Sequence, residues 1–407
     1  MKQANSQREH QSIHQKRIAI IGSGPAGLMA ADRLSARASV TLFDKRRAAG
    51  RKLLVAGSSG LNVSNSLPID EFISAYRGGT PALWKKLISD FSPTDWCRFI
   101  ESQLGSSTFE GTSGRYFVEE MKASKMLQSW LTRLKDRGVE FRYGTEITGW
   151  EKAKRITLST SDGADPSEFD AVLFALGGGS WEPDEVPLRW PEIFKSRGIA
   201  FDTFTPANAG FQVSWPEEFL KEAEGKPIKT VVLTSPRGTR KGELMVTSYG
   251  LEGTPVYSHG VSGPVSLDLK PDLTLPQLLA RLRTTKENLA PIRRVGKLAG
   301  LGPAAFALVF HLTSRKIKGN LEGLAKRIKD FPLELGAPRP LSESISSAGG
   351  LQMTEIDASF MLKTHPGIFA CGEMLNWDAP TGGYLIQACV SQGLAAAEGI
   401  SRHLGLN

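Results

Sequence analysis

An α/β fold built on a parallel sheet, interrupted by a β-rich insertion and a basic helical segment, is what this sequence predicts. Three observations carry that expectation. An apolar strand turns through glycines into a small-residue helix between Arg17 and Ala31, a second strand over Val40 to Asp44 ends in an acid, and the chain returns near its C-terminus to a strand, a glycine turn and a helix of small residues. Strand, glycine turn and helix in that order make a cradle for a dinucleotide pyrophosphate. The helix N-terminus offers free N–H groups and the positive end of its dipole to the anion.

Within the cradle, Gly22-Ser23-Gly24-Pro25-Ala26-Gly27, each small residue has a task. Gly22 permits the tight turn, Gly24 lets the backbone approach a phosphate, and Gly27 lets the helix pack closely on the strand. Asp44 lies 22 residues past Gly22, where this fold places a carboxylate on the adenosine ribose hydroxyls. The alternative for Asp44 is a solvated acid beside Lys45, Arg46 and Arg47. The stretch from Gly50 to Asn65, with Arg51 and Lys52 and many Gly, Ser and Asn residues, reads as a long loop that wraps a bound dinucleotide.

From Pro68 to Gln103 the apolar spacing is helical, and Pro81 and Pro93 suit first turns. Trp84, Trp96 and Cys97 read as packing residues. A helix over Ser124 to Arg137 ends at Gly138, strands follow from Val139, and the strand Phe169 to Leu176 is apolar throughout, as in a parallel sheet covered on both faces. Its end, Ala175-Leu176-Gly177, and the glycines after it put bare backbone where open α/β sheets bind ligands.

Residues 199–270 carry short β signals separated by Gly and Pro, and 271–340 are helical and basic. The latter segment holds thirteen Lys and Arg against five acids, which matches the net charge of +8 for the whole chain of 407 residues. A basic face of this kind suits a solvated lid or dimer surface, with nucleic acid a possible but less favoured partner. His259, bracketed by glycines, is the one histidine in a setting that resembles a site, and a purely structural role is its alternative. The resulting division is a loose tail over 1–16, a discontinuous nucleotide-binding domain over 17–198 and 341–407, a β insertion over 199–270 and a basic helical subdomain over 271–340.

Composition narrows the class. With 40% hydrophobic and 23% charged residues, a soluble folded core is expected. No apolar run approaches the roughly 20 residues that span a bilayer, so no membrane partner is expected. Cys97, Cys371 and Cys389 form no close pair, which fits a reducing cytoplasm and offers neither a disulfide framework nor a dithiol centre. No metal site is expected.

The cradle, the loop Gly57-Ser58-Ser59-Gly60-Leu61-Asn62, the turn Leu176-Gly177-Gly178-Gly179-Ser180-Trp181, the stretch from His259 to Pro264 and the ending Gly372-Glu373-Met374-Leu375-Asn376-Trp377-Asp378-Ala379-Pro380-Thr381-Gly382-Gly383-Tyr384 together resemble a bacterial family of FAD flavoproteins, the BaiN-like NAD(P)/FAD-dependent oxidoreductases. The resemblance covers nearly the whole chain after the tail. It implies a Rossmann-like FAD-binding domain of the two-dinucleotide-binding type, with a β-barrel-like and a helical insertion. Glu373 would then bond the ribityl chain, and Gly382, Gly383 and Tyr384 would face the pyrimidine edge of the flavin. The family often reads Gly-Gly-Gly-Arg-Cys-Asn in the Gly57 loop, and an arginine and a cysteine of that pattern are absent here.

Two glycine turns at opposite ends of the chain favour FAD over NAD alone as the bound cofactor, with Gly372 and Glu373 on the flavin half. The expected chemistry is hydride transfer between the flavin and a small-molecule substrate roofed by the insertions. No second fingerprint for NAD(P)H is visible, so a nicotinamide donor would bind transiently in the same cleft. His259 is the candidate proton donor or oxyanion-stabilising group, with Asp378 and Tyr384 as alternative acids.

Overall fold

The computed structural model describes residues 15–57, 60–182, 188–284 and 289–406. Residues 1–14 of the tail expected over 1–16, and the motif residues Ser58 and Ser59, lie outside them. The organising sheet has five parallel strands: β1 (Arg17–Ile21), β2 (Ser39–Asp44), β3 (Glu140–Tyr143), β4 (Ala171–Phe174) and β5 (Ile368–Ala370), in the order β5-β4-β1-β2-β3. Its continuous apolar strands follow from burial on both faces. Every residue of β4 is buried, and Leu173 and Phe174 each contribute about 1.5–3 kcal/mol by leaving water.

Helix α1 (Pro25–Leu34) leaves the end of β1, and the long helix α3 (Tyr384–Leu404) packs on it from the far end of the chain. Between them in sequence, α2 (Arg51–Ala56) begins at Gly50. The stretch read as one loop over Gly50 to Asn65 is therefore a helix, a connection and the strand Asn62–Asn65. Arg51-Lys52-Leu53-Leu54-Val55-Ala56 is rich in helix formers, and burying Leu53 outweighs the glycines flanking it. Pro81 and Pro93 open the helices Pro81–Asp90 and Pro93–Leu104 as their positions required, and Trp84, Trp96 and Cys97 are buried.

A six-stranded antiparallel sheet forms the insertion, in the order Phe211–Gln212, Gly250–Glu252, Gly238–Thr247, Pro227–Ser235, Gly263–Asp268, Phe331–Leu335. It closes on itself: Gln212 N–H donates to the Ala337 carbonyl at 3.0 Å, and Gly336 N–H donates back to Gln212 at 2.7 Å. The strand Phe331–Leu335 belongs to this barrel-like sheet, although the sequence reading put it among the helices. Its alternating burial is a period of two, which the basic residues just before it disguise. The helices between Leu275 and Lys329 cover the barrel, and one apolar core from Phe211 to Leu335 serves both.

Phe201–Ala207 also departs from the expectation that it belongs with the inserted β strands. It pairs with Ser346–Leu351 in an antiparallel ribbon that carries the chain out to the barrel and back. Phe201 and Phe204 pack on the core of the parallel sheet, and their burial there decides the pairing.

Candidate functional site

The C-terminal ends of β1, β2 and β4 open into a cleft of about 160 Å³. Gly22, Ser23, Gly24, Pro25, Ala26, Asp44, Lys45, Arg51, Lys52, Ala175, Leu176, Gly177, Gly372 and Glu373 all line it, so the two ends of the chain and its middle meet where the sequence placed a dinucleotide. The cradle leaves its backbone and helix end open. A Cβ on Gly22, where φ is +109°, would lie 2.2 Å from the Ala175 carbonyl oxygen, so only glycine fits beneath β4. A Cβ on Gly24 meets nothing within 4 Å. No side chain caps α1, and no acid sits in its first turn, leaving the positive helix end to an anion. Gly27 packs rather than lines: its Cβ would meet the Gly22 carbonyl at 2.0 Å.

Asp44 accepts hydrogen bonds from the Ser23 N–H at 3.0 Å, from the Ser23 hydroxyl, and from the Arg46 N–H at 2.8 Å. Its carboxylate is thus oriented by the cradle itself. Across the cleft, Glu373 accepts from the Gly178 N–H at 3.3 Å and the Ser347 N–H at 3.2 Å. Lys52 donates to the Gly178 carbonyl at 2.7 Å. Burial pushes the Lys52 ammonium below the usual lysine value, while Glu373 and Glu182 pull it upward.

Glu182 is among the cleft residues that sequence reasoning missed. It lines the cleft and pairs with Lys45 at 3.3 Å and Arg46 at 2.6 Å. Burial works against its charge, but the two cations outweigh burial and hold its pKa below the usual glutamate range. No motif surrounds it, and only its two basic partners after β2 carried a signal. Cys389 also reaches the cleft, and burial pushes its thiol up to about 12, which keeps it protonated and unreactive.

Gly382, Gly383 and Tyr384 stand apart from the cleft lining. Gly383 has φ +89°, and a Cβ there would sit 2.5 Å from the Ser64 backbone, so the turn is pressed against the strand Asn62–Asn65. The Tyr384 ring is buried against Phe72 at 4.7 Å between centroids, which takes it away from a role as a free acid. Asp378 is held in an ion pair by Arg77.

His259 lies outside that cleft lining, too. It ends the short helix Thr254–His259 rather than occupying a glycine loop, because Gly253 and Gly260 bracket a helical turn. Its Nδ1 is 2.9 Å from the Ser258 hydroxyl. Burial and then the fields of Arg240, Arg237 and Arg77 push the imidazole below the ordinary histidine value, so it is neutral at neutral pH. Among the described residues no three His, Cys, Asp or Glu side chains gather as a metal would require.

Comparison with known proteins places this geometry. Residues 16–399 match the family described as HI0933-like protein Rossmann domain. The 3-dehydro-bile acid delta(4,6)-reductase of Clostridium scindens is 22% identical, over 93% of this chain and 98% of its own length. The ribosomal RNA dihydrouridine synthase of Haemophilus influenzae is 20% identical, over 94% of this chain and 98% of its own. Among solved structures, the 3-ketosteroid delta1-dehydrogenase of Sterolibacterium denitrificans superimposes with a TM-score of 0.51 at 11% identity, over 95% of this chain and 99% of its own. The shared architecture is the Rossmann-type FAD-binding fold.

Proposed function

The chain belongs to the HI0933-like Rossmann family, and we infer from that membership and from the glycine cradle that it is an FAD-dependent oxidoreductase acting on a small molecule. The observation that carries the reading is Gly24, with open space above its backbone at an uncapped helix end. When bound, FAD supplies the acceptance and donation of a hydride. The first turn of α1 holds the diphosphate, Asp44 takes the ribose hydroxyls, and Glu373 orients the ribityl chain. Lys52 offers its ammonium to the anionic side of the cofactor, and the barrel and its helices exclude water from the substrate.

His259 joins this reading as a hydrogen-bond donor to substrate. A neutral imidazole polarises a carbonyl without giving up its proton, which suits the lowered pKa better than the general-acid role. NADH or NADPH is the proposed reductant, bound transiently in the same cleft, since the relatives named as reductase and dihydrouridine synthase support a reaction in the reducing direction. The purified protein should be yellow, and anaerobic mixing with NADH or NADPH should bleach the flavin. A colourless protein that FAD fails to reconstitute sinks the reading. A flavin that neither nucleotide nor dithionite reduces sinks the redox role.

A second reading, an RNA-associated flavoprotein, is favoured by one specific observation. Arg281, Arg293, Arg315 and Lys316 in the helical segment are exposed and have no carboxylate partner among the described residues, and a relative is named for ribosomal RNA. Phosphate contacts make affinity fall steeply with salt. Binding to tRNA at physiological salt that is lost on neutralising Arg293, Arg294 and Lys297 would establish it, and no binding at low salt would remove it.

A further inference from the structure

Around the turn from Asp378 to Tyr384 the two bodies of the protein present cations to one another. Arg77 is joined to that turn by its backbone: its N–H donates to the Asp378 carbonyl at 2.9 Å and its own carbonyl accepts from Asp378 at 2.9 Å. Arg115 lies beside Gly382, its Nε 3.7 Å from where a Cβ on that glycine would stand. The same guanidinium reaches across to the insertion, 3.5 Å from the Thr254 hydroxyl.

The hairpin formed by Pro227–Ser235 and Gly238–Thr247 puts its tip against the other end of the helix Thr254–His259 whose first residue Arg115 touches. The tip is pinned to His259, because the Ser235 hydroxyl donates to the His259 carbonyl at 2.6 Å and accepts from the Arg237 N–H at 3.1 Å. Arg237 precedes and Arg240 closely follows Gly238, where a Cβ would stand 3.8 Å from the His259 ring, and the charges of Arg240, Arg237 and Arg77 all act on that imidazole. Of the four arginines, Arg77 alone has a carboxylate partner among the described residues. Arg115, which touches Thr254, and Arg237 and Arg240, on the hairpin whose tip is bonded to His259, thus bring three charges without a carboxylate partner among the described residues to the two ends of one short helix.

Like charges gathered without counter-charges repel one another, and an anion placed between them removes that repulsion. Guanidinium groups present paired donors that match the two oxygens of a carboxylate or phosphate. We propose that the gap between the Asp378–Tyr384 turn and the 235–240 hairpin tip binds an anionic oxygen group, a carboxylate or a phosphate, carried by the small molecule on which the flavin acts. The proposal rests on the flavin reading above and names the substrate class for it. The anion is gripped from both bodies at once: Arg77 and Arg115 come from the FAD-binding part, Arg237 and Arg240 from the barrel. A substrate so held would be fixed by its charged end.

The test uses the yellow holoprotein and follows the visible flavin absorbance during titration with benzoate, phenyl phosphate and the uncharged benzyl alcohol. Benzoate or phenyl phosphate should perturb the band, and benzyl alcohol should bind at least about tenfold more weakly, as the loss of one charged hydrogen bond requires. Which of the two anions binds more tightly distinguishes a carboxylate from a phosphate substrate. Arg237→Met/Arg240→Met should weaken the preferred anion by about tenfold or more while keeping FAD, and Arg240→Lys should restore part of it. Exposed Lys135→Met serves as the control with unchanged affinity. Equal binding of benzyl alcohol, or undiminished anion affinity in a yellow Arg237→Met/Arg240→Met protein, overturns the proposal and leaves the flavin reading intact. If the double variant loses its FAD, Arg115→Met decides by the same titration. A spectral change produced by tRNA but by neither small anion overturns it in favour of RNA, and a colourless parent protein overturns it together with the flavin reading.

Discussion

Replacing Gly24 by alanine separates folding from cofactor binding. Gly24 sits at φ −77° and ψ 179°, backbone that alanine adopts without strain, and the added methyl meets no atom within 4 Å. Alanine is a poorer helix N-cap than glycine, by about 0.5–1 kcal/mol. The stiffer unfolded chain returns about 0.4–1 kcal/mol. These two effects nearly cancel, so the apoprotein should melt within about 2–4 °C of the parent. In the proposed cradle the methyl would, however, fill the space through which a phosphate reaches the N–H groups of α1. Each charge-assisted hydrogen bond lost there costs about 1.5–3 kcal/mol, or roughly 10- to 150-fold in affinity. Quenching of FAD fluorescence by apoprotein, alongside a thermal scan without cofactor, measures both quantities. A Gly24→Ala protein that melts like the parent and binds FAD equally well would refute the cradle as the diphosphate site.

Gly22→Ala should behave in the opposite way, because its methyl would meet the Ala175 carbonyl at 2.2 Å and its φ is +109°. The expected loss is about 1–3 kcal/mol or more in apoprotein stability, and an unaltered denaturation midpoint would contradict the geometry. Asp32, only 4% exposed, is held by Arg133 at 2.8 Å and Arg137 at 3.1 Å. Asp32→Ala should cost about 1.5–3 kcal/mol in chemical denaturation, and a cost near zero would show that water replaces the carboxylate. His259 binds its proton less readily folded than unfolded. Its contribution therefore penalises the fold as pH falls through the ordinary histidine range and vanishes above it. Its NMR titration midpoint should lie below the ordinary value of 6.5 and rise in Arg240→Met, and a parent midpoint at or above 6.5 would dismiss the arginine field.

The strand, turn and helix from Arg17 to Leu34 were legible because adjacent residues alone decide them: a β-branched run, glycines at fixed offsets and proline at the first helical position. The place of Asp44 at the end of β2 and in the cleft was legible by spacing for the same reason. Glu182 was not, since its place in the cleft depends on ion pairs with Lys45 and Arg46, more than 130 residues away along the chain. Phe331–Leu335 failed for a different reason. A five-residue strand at the end of a basic helical run has too few positions to show its alternation, and its partner Gly263–Asp268 lies beyond the whole helical segment. The proposed anion site was hidden for the first of these reasons, because Arg77, Arg115, Arg237 and Arg240 sit in separate stretches of the chain.

In the ribbon of Phe201–Ala207 and Ser346–Leu351, Ala207 and Ser346 lie directly opposite one another. The path into the barrel and the path out of it therefore leave the parent sheet side by side, as the two ends of a cassette do. A short hairpin joining those two positions would close the ribbon without disturbing a strand of the parallel sheet, and a different cassette could be spliced in at the same seam. Selection can then rework the barrel and its helices by exchanging one contiguous piece of gene, while the parallel sheet descends unchanged.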